Sequence, residues 1–278
     1  MRRPLSRRRP RSRGFALVAV LWLGVALGIA ASSFLNQTRA ESYRLRGEVE
    51  TSHAVELARS GLNLALAQLA IRQSALPLDG TVIAHPLPGG VVEYRIWDEK
   101  GKADLNRSNA RIVAAALESL ALPGLDALDY AGLADRLLAS AKRARDAAQA
   151  VTLSDVLRRA DAPAALRARA GEVLTLHSFG ARINPRSAQA GLLSAIPGLG
   201  EAGVAAILDA KRTGDTLPNL GAAEGWVTRS KGPVYRLTST GRTEGGVAAR
   251  MEALIISDGR GFRTGRLRFR VLAARIHR

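Results

Sequence analysis

One uncharged stretch constrains this chain more than any other feature, because no charged residue occurs between Arg13 and Arg39. Most of the stretch is strongly apolar, and at about 1.5 Å per residue its core forms a helix of roughly 30 Å, which matches the hydrocarbon thickness of a bilayer. The sequence therefore predicts a transmembrane helix over 15–38.

The residues before this stretch predict its orientation and its fate. Seven arginines lie within the first thirteen residues, so the positive-inside rule places the N-terminus in the cytoplasm and the remainder of the chain across the membrane. A secretory signal peptide has its small-residue cleavage site after a shorter apolar core, whereas here Gly14 precedes the apolar run. We therefore interpret 1–14 as a basic leader that is separate from a retained anchor.

Composition sets the outer limits on function. The 278 residues carry a net charge of +17, and loss of the leader with its seven arginines leaves 34 basic against 24 acidic residues, or +10. This excess keeps nucleic acid or an acidic surface open as a partner. The absence of cysteine excludes disulfides, thiolate metal sites and cysteine nucleophiles.

Three segments follow the anchor and predict a helix that leads into a sheet. Residues 39–76 lack proline and place apolar side chains at helical spacing, which predicts an amphipathic continuation of the N-terminal helix. The turn-rich residues 77–90 end that helix, and 91–97 then has the β-branched and aromatic residues of a strand. We assign 77–106 as the first part of a β-domain.

An Ala-, Leu- and Arg-rich block at 107–226 interrupts the strands. Its periodicity predicts helices at 112–122, 128–150, 153–160 and 164–176. Thr152 and Asp155 have the spacing of a helix-start capping box. This order, sheet then helices then sheet, predicts a helical domain inserted into a β-domain.

Strands return in the last part of the chain, 227–278. The alternation of residue types predicts them at 234–240, 248–256 and 266–271. In the last one, Arg266, Arg268 and Arg270 alternate with apolar residues. We interpret this row as a solvent face that discourages edge pairing, with docking of an acidic partner as the alternative.

The most motif-like segment is a helix-hairpin-helix pattern at 184–212. Asn184 and Pro185 suit a helix start at 186–195, the turn contains Pro197, Gly198 and Gly200, and a second helix is predicted over 201–211. The letters also satisfy G-x-G-x-x-G, but no strand precedes them, so a dinucleotide site is rejected. Glu201 would repel a phosphate at the turn, which favours a structural role over DNA binding.

Catalysis finds little support in the sequence. The four histidines are scattered, and neither H-E-x-x-H nor G-x-S-x-G occurs. The concentrated oxygen ligands are Asp98, Glu99 and Asp104, near Asn106, which could hold Ca²⁺ although they lack EF-hand spacing. We interpret this cluster as a solvated turn, with a Ca²⁺ site as the alternative.

Several of these segments together resemble one family. The basic leader, Gly14, Phe15 and the uncharged helix resemble the class III signal of type IV pilins and type II secretion pseudopilins. Most such proteins have Glu as the fifth mature residue, whereas here it is Ala19, as is typical of the minor pseudopilin K of type II secretion. The segments 98–106 and 234–255 also resemble that family, the general secretion pathway protein K family.

The resemblance implies a fold and a function. The expected fold is α+β: a pilin-like long N-terminal membrane helix, an antiparallel sheet and a large inserted all-α domain of two SAM-like units, the second with the helix-hairpin-helix. The implied protein is a non-enzymatic inner-membrane subunit with a periplasmic head, which caps the pseudopilus with other minor pseudopilins of the I-, J- and H-like classes. Prepilin peptidase would cleave after Gly14 and methylate Phe15.

The same resemblance implies no required cofactor, with Ca²⁺ as the one candidate ion because related pseudopilins bind it. No specific nucleic-acid partner is expected. The alternative from the residues is a membrane-anchored periplasmic competence receptor that binds DNA through the helix-hairpin-helix.

Overall fold

The structure is a computed structural model that describes residues 13–72, 76–257 and 269–277. The chain divides into two compact units, Met1–Ser52 and His53–Arg278. The helices are α1 (Arg13–Arg72), α2 (Ala110–Glu118), α3 (Tyr130–Asp146), α4 (Leu153–Arg159), α5 (Ala164–Arg169), α6 (Ala190–Ser194) and α7 (Gly200–Thr213). The strands are β1 (Ile83–Leu87), β2 (Gly90–Asp98), β3 (Ala103–Asp104), β4 (Leu174–Thr175), β5 (Val234–Thr243), β6 (Ala248–Ser257) and β7 (Phe269–His277).

The first unit contains the beginning of α1, where large apolar side chains are exposed, among them Trp22 and Phe34. Within the described ranges, no helix is both long enough and apolar enough to cross a membrane. The anchor over 15–38 stays a prediction.

Five strands of the second unit form an antiparallel sheet in the order β1-β2-β5-β6-β7. Successive side chains of a strand point to opposite faces, and the inner face of this sheet carries residues such as Tyr94, Ile96, Tyr235, Leu237 and Ile255. They pack against the small and aliphatic stripe of α1, which consists of Ala58, Leu62, Ala65 and Leu69. The outer face is polar and charged.

Gly241 lets α1 approach the sheet closely. A Cβ atom at this position would lie 2.4 Å from the backbone nitrogen of Ala58 and 2.5 Å from the backbone oxygen of Ala54. Both distances are far below van der Waals contact, and the atoms belong to helix backbone that cannot rotate away. Only glycine fits between β5 and α1 here.

A second apolar core belongs to the helical block, and its buried residues run from Ala103 to Val227. The short parallel pair of β3 and β4 lies at one side of it, with Ala103 opposite Leu174. Both cores lie within one compact unit, so the assignment of 107–226 as a separate inserted domain stays a prediction.

Most predicted elements are present, with different ends. The capping box at Thr152 and Asp155 is confirmed, since each side chain accepts a hydrogen bond from the other residue's backbone. The strand β1 was not predicted, because turn residues surround its five positions. The helix predicted over 164–176 ends at Arg169, and Leu174 pairs as a strand instead.

The helix predicted over 186–195 also differs. Asn184 does not cap it; its side chain accepts a hydrogen bond from the backbone of Arg186 in a turn, and α6 begins only at Ala190. A local side-chain turn competes with helix initiation at such positions. In the last predicted strand, 266–268 lies outside the described residues, and β7 begins at Phe269.

Candidate functional site

The segment from Asp98 to Asp104 is the joint between the sheet and the helical block. Asp98 ends β2 and is fully buried. Its carboxylate accepts hydrogen bonds from the backbone nitrogens of Lys100 at 2.9 Å and Gly232 at 3.0 Å, and from the Ser187 hydroxyl at 3.5 Å. Burial raises the pKa of Asp98 against the effect of these donors. The carboxylate thus ties the end of β2 to two distant parts of the chain.

Glu99 forms a buried ion-pair network with residues of the sheet. Its carboxylate lies 2.7 Å from Lys102 Nζ and 3.0 Å from Arg236 Nε, and it also accepts a hydrogen bond from the Thr175 hydroxyl. Arg236 in turn pairs with Glu252 on the neighbouring strand. Burial alone would raise the pKa of Glu99, but the two nearby cations outweigh it and lower this pKa to about 2.

The pKa of Glu99 predicts acid sensitivity. Because the folded value of about 2 lies below the ordinary 4.5, the unfolded state binds the proton more readily. The stabilisation is therefore complete above pH 4.5 and is lost as the pH falls from 4.5 toward 2. The two pKa values differ by an amount equivalent to about 3 kcal/mol.

Urea unfolding at a series of pH values checks this prediction. We expect the free energy of unfolding to fall with acidification more in the wild type than in Glu99→Gln, which lacks the titrating group. Parallel pH profiles for the two proteins would contradict it.

Asp104 anchors the helical side of the joint. One carboxylate oxygen accepts from the backbone nitrogen of Asn106 at 2.8 Å, and the other accepts from the Ser178 hydroxyl at 2.9 Å and the Phe179 nitrogen at 3.0 Å. Asp104 therefore holds the loop after β4 against β3.

The interpretation of this cluster as a solvated turn is wrong, because Asp98, Glu99 and Asp104 are buried. The same three carboxylates, the candidate calcium ligands, accept hydrogen bonds from protein donors. In the ranges that the structure describes, no group of three or more ligating side chains is arranged for a metal ion. The structure places Asp98, Glu99 and Asp104 in three separate hydrogen-bond networks. Calcium binding by this loop stays a prediction.

The turn of the helix-hairpin-helix packs against the protein itself. Gly198 has φ of +78° and Gly200 has φ of +65°, which glycine adopts readily. A Cβ on Gly198 would lie 3.0 Å from the Cβ of Ala222, so the turn after Pro197 faces that neighbouring loop. Glu201 is exposed in the first turn of α7. Packing and a positive φ account for Gly198, and the positive φ alone accounts for Gly200, without a ligand.

The residues of the predicted processing site lie at the start of α1. Gly14, Phe15 and Ala19 all belong to this helix, whereas residues 1–12 of the leader lie outside the described part of the chain. Arg266 and Arg268 lie outside it as well, and Arg270 is an exposed residue of β7.

Sequence reasoning missed the residues that complete the Glu99 network. Lys102, Thr175, Arg236 and Glu252 come from four separate segments, and the sequence patterns singled out none of them as a site residue. The signal available was the interruption of a strand pattern: Arg236 and Glu252 are charged residues inside β5 and β6, directly after or before apolar ones. Such residues often have a partner across the fold.

Comparison with known proteins supports the fold. No family model and no curated protein matches the sequence. A chain in the crystal structure of the GspK-GspI-GspJ complex from the enterotoxigenic Escherichia coli type 2 secretion system is similar, with a TM-score of 0.52 and 16% sequence identity. The match covers 84% of this chain and 99% of that chain. This chain has a GspK-like fold.

The structural match agrees with the fold class expected from the sequence. The mixture of helices with an antiparallel sheet agrees with the α+β class predicted from the sequence. The resemblance to minor pseudopilin K, first drawn from Gly14, Phe15 and Ala19, is supported by a comparison that does not use those motifs. The buried network at Glu99 holds the two parts of such a fold together.

Proposed function

We propose that this chain is a minor pseudopilin of a type II secretion system. The observation that carries the proposal is the GspK-like fold over 84% of the chain. The leader with its Gly14-Phe15 junction supports it independently, because that junction is the substrate pattern of prepilin peptidase in the family that the sequence resembles. The protein would serve export of folded proteins across the outer membrane as an assembly subunit, without catalysis or a required cofactor.

The proposal includes a place in the membrane. Residues 15–38 anchor the protein in the inner membrane, with the N-terminus in the cytoplasm and the head in the periplasm. The charge distribution supports this orientation, since the arginines of the leader precede the uncharged run. The helical block 107–226 is proposed to consist of two SAM-like units.

The protein would cap the pseudopilus. In a stack of pilin-like subunits, a glutamate at the fifth mature position neutralises the terminal ammonium of a neighbour, and an unpaired charge in apolar surroundings is costly. Ala19 cannot supply that partner, so the subunit suits an end of the filament. An inserted block of this size would also obstruct a subunit stacked above it.

The proposed partners are other minor pseudopilins. The similar chain was crystallised in a complex with GspI and GspJ, and I-, J- and H-like subunits are the corresponding companions here. The DNA-receptor alternative gains no support from the fold, because the turn at Gly198 packs internally and Glu201 stands where a phosphate would bind.

Processing of the leader is the most direct test. We expect membrane-extracted protein to begin at Phe15, to carry one added methyl group and to retain the apolar helix. Intact-mass spectrometry measures all three features. The variant Gly14→Val should accumulate at full length, and a wild-type chain that still begins at Met1 would overturn the assignment as a pseudopilin.

Copy number tests the position within the filament. Quantitative mass spectrometry of purified pseudopili should find a number of copies that does not rise with filament length. Copies in proportion to length would exclude a capping role while leaving the assignment as a pseudopilin intact.

A further inference from the structure

The two edges of the five-stranded sheet differ in how they are protected. At one edge, β1 has only five residues and contains Pro86, which cannot donate a ladder hydrogen bond. At the other edge, β7 has nine residues and no proline. Short length and proline block β1, whereas β7 carries only the charges of Arg270 and Arg275, which repel another basic strand but attract an acidic one.

The strand β7 also exposes apolar side chains. Val271 is 57% exposed, Leu272 is 41% exposed and Ile276 is 46% exposed. Within the described ranges, β7 pairs with β6 along one side only. The strand therefore presents both unpaired backbone groups and uncovered aliphatic side chains.

A groove borders this strand. It encloses about 740 Å³ and is lined both by β7 and by residues of the helical block, among them Leu153, Leu157 and Leu176. Four successive residues of β7, numbers 272–275, line the groove. Alternate residues of a strand point to opposite faces of the sheet, so a groove on one face alone would be lined by every second residue. Because residues 272–275 all line this groove, we infer that it borders the edge of β7 as well as one face.

The groove is basic. Arg145, Arg167 and Arg275 line it. Arg145 lies 3.7 Å from Asp146. In the described part of the chain no carboxylate lies within ion-pair distance of Arg167 or Arg275, although Glu252 is the register partner of Arg275. The single carboxylate among the described lining residues is Glu252, and it pairs with Arg236. Burial lowers the pKa of His177, a further lining residue.

The charges decide between occupants. A second copy of this chain would set β7 with its arginines against the same arginines, in a protein that keeps a net charge of +10 without the leader. The neighbouring segment 258–268 holds four arginines and one aspartate, so it does not complement the groove either. An acidic segment from a different protein satisfies both the free strand edge and the unpaired cations.

We propose that this groove binds an extended, acidic polypeptide segment of a partner protein, which adds to the sheet as a further strand beside β7. Backbone hydrogen bonds to β7 supply affinity without regard to sequence, and alternate side chains supply specificity. The carboxylates of the segment pair with Arg145, Arg167 and Arg275, while its apolar side chains cover the exposed aliphatic residues. The inference stands apart from the proposed role in secretion.

A peptide of alternating Glu and Val tests the proposal, at nine residues to match β7. With the purified full-length chain in detergent, fluorescence anisotropy should detect binding of the labelled peptide. The double variant Arg167→Glu, Arg275→Glu should weaken it at least about tenfold, because complementary charges become like charges. The matched control is Arg212→Glu, because Arg212 is an exposed arginine outside the groove that pairs with Asp209. The Arg212→Glu variant should bind the peptide with the affinity of the wild type.

Backbone chemistry separates strand addition from simple anion binding. Two further peptides carry N-methyl groups on all Glu or on all Val residues, which removes the amide donors along one edge while it retains the charges. One of the two should lose binding, and inorganic polyphosphate should compete weakly. Binding that survives both methylations, or that the double variant leaves unchanged while thermal unfolding shows a folded protein, would overturn the proposal.

Discussion

Glu99→Ala is expected to lower the free energy of unfolding by about 3 to 5 kcal/mol. The substitution leaves the buried ammonium of Lys102 without its carboxylate, which lies 2.7 Å away in the wild type. Lys102 is only 2% exposed, so water cannot replace the lost partner, and an uncompensated buried charge is costly. Urea unfolding monitored by circular dichroism measures the change.

Two variants make this test specific. Glu172→Ala removes a carboxylate of the exposed pair with Arg169 and should cost less than about 1 kcal/mol, because water screens such pairs. The double variant Glu99→Leu, Lys102→Leu removes both buried charges and should recover part of the loss. A Glu99→Ala effect no larger than that of the control would show that the network does not stabilise the joint.

Gly241→Ala is expected to destabilise the protein by about 3 kcal/mol. The added methyl group would meet the backbone of Ala58 and Ala54 in α1 at 2.4 and 2.5 Å. Relief requires the helix to move from the sheet and opens gaps around the inner-face residues that pack on it. Thermal or urea unfolding should show the loss.

The matched control for this substitution is Gly225→Ala. A Cβ atom there meets no atom within 4 Å, so the added methyl group causes no clash. We expect stability to stay unchanged or to rise slightly, since alanine restricts the unfolded chain. Equal effects at the two positions would show that the close approach of α1 does not depend on Gly241.

The strands show which elements can be predicted from local residue patterns. Alternation predicted 91–97, 234–240 and 248–256, and the structure has β2, β5 and β6 there, each one to three residues longer at one end or both. The strand β1 has no such pattern, because none of its residues is fully buried and it forms by pairing with β2 in the hairpin. The five residues of such an edge strand carry no sequence pattern from which the pairing could be predicted.

The joint shows where local patterns fail. Asp98, Glu99 and Asp104 are candidate oxygen ligands from the sequence because three carboxylates occur within seven residues. Some of their partners are local, such as Lys102 for Glu99, but others lie far away in sequence: Thr175 is 76 residues from Glu99, and Arg236 is 137 residues from it. No spacing rule links residues at such distances.

The sequence by itself determined the features that depend on neighbouring residues. These are the uncharged run after a basic leader, the alternation of β2, β5 and β6, and the capping box of α4, since hydropathy, pleat and end capping act within a few residues. Only the tertiary structure decided that Glu99 is buried between Lys102 and Arg236 and that β7 lies along a basic groove. Both depend on which distant segments the fold brings together, because a charge's environment is set by its neighbours in space.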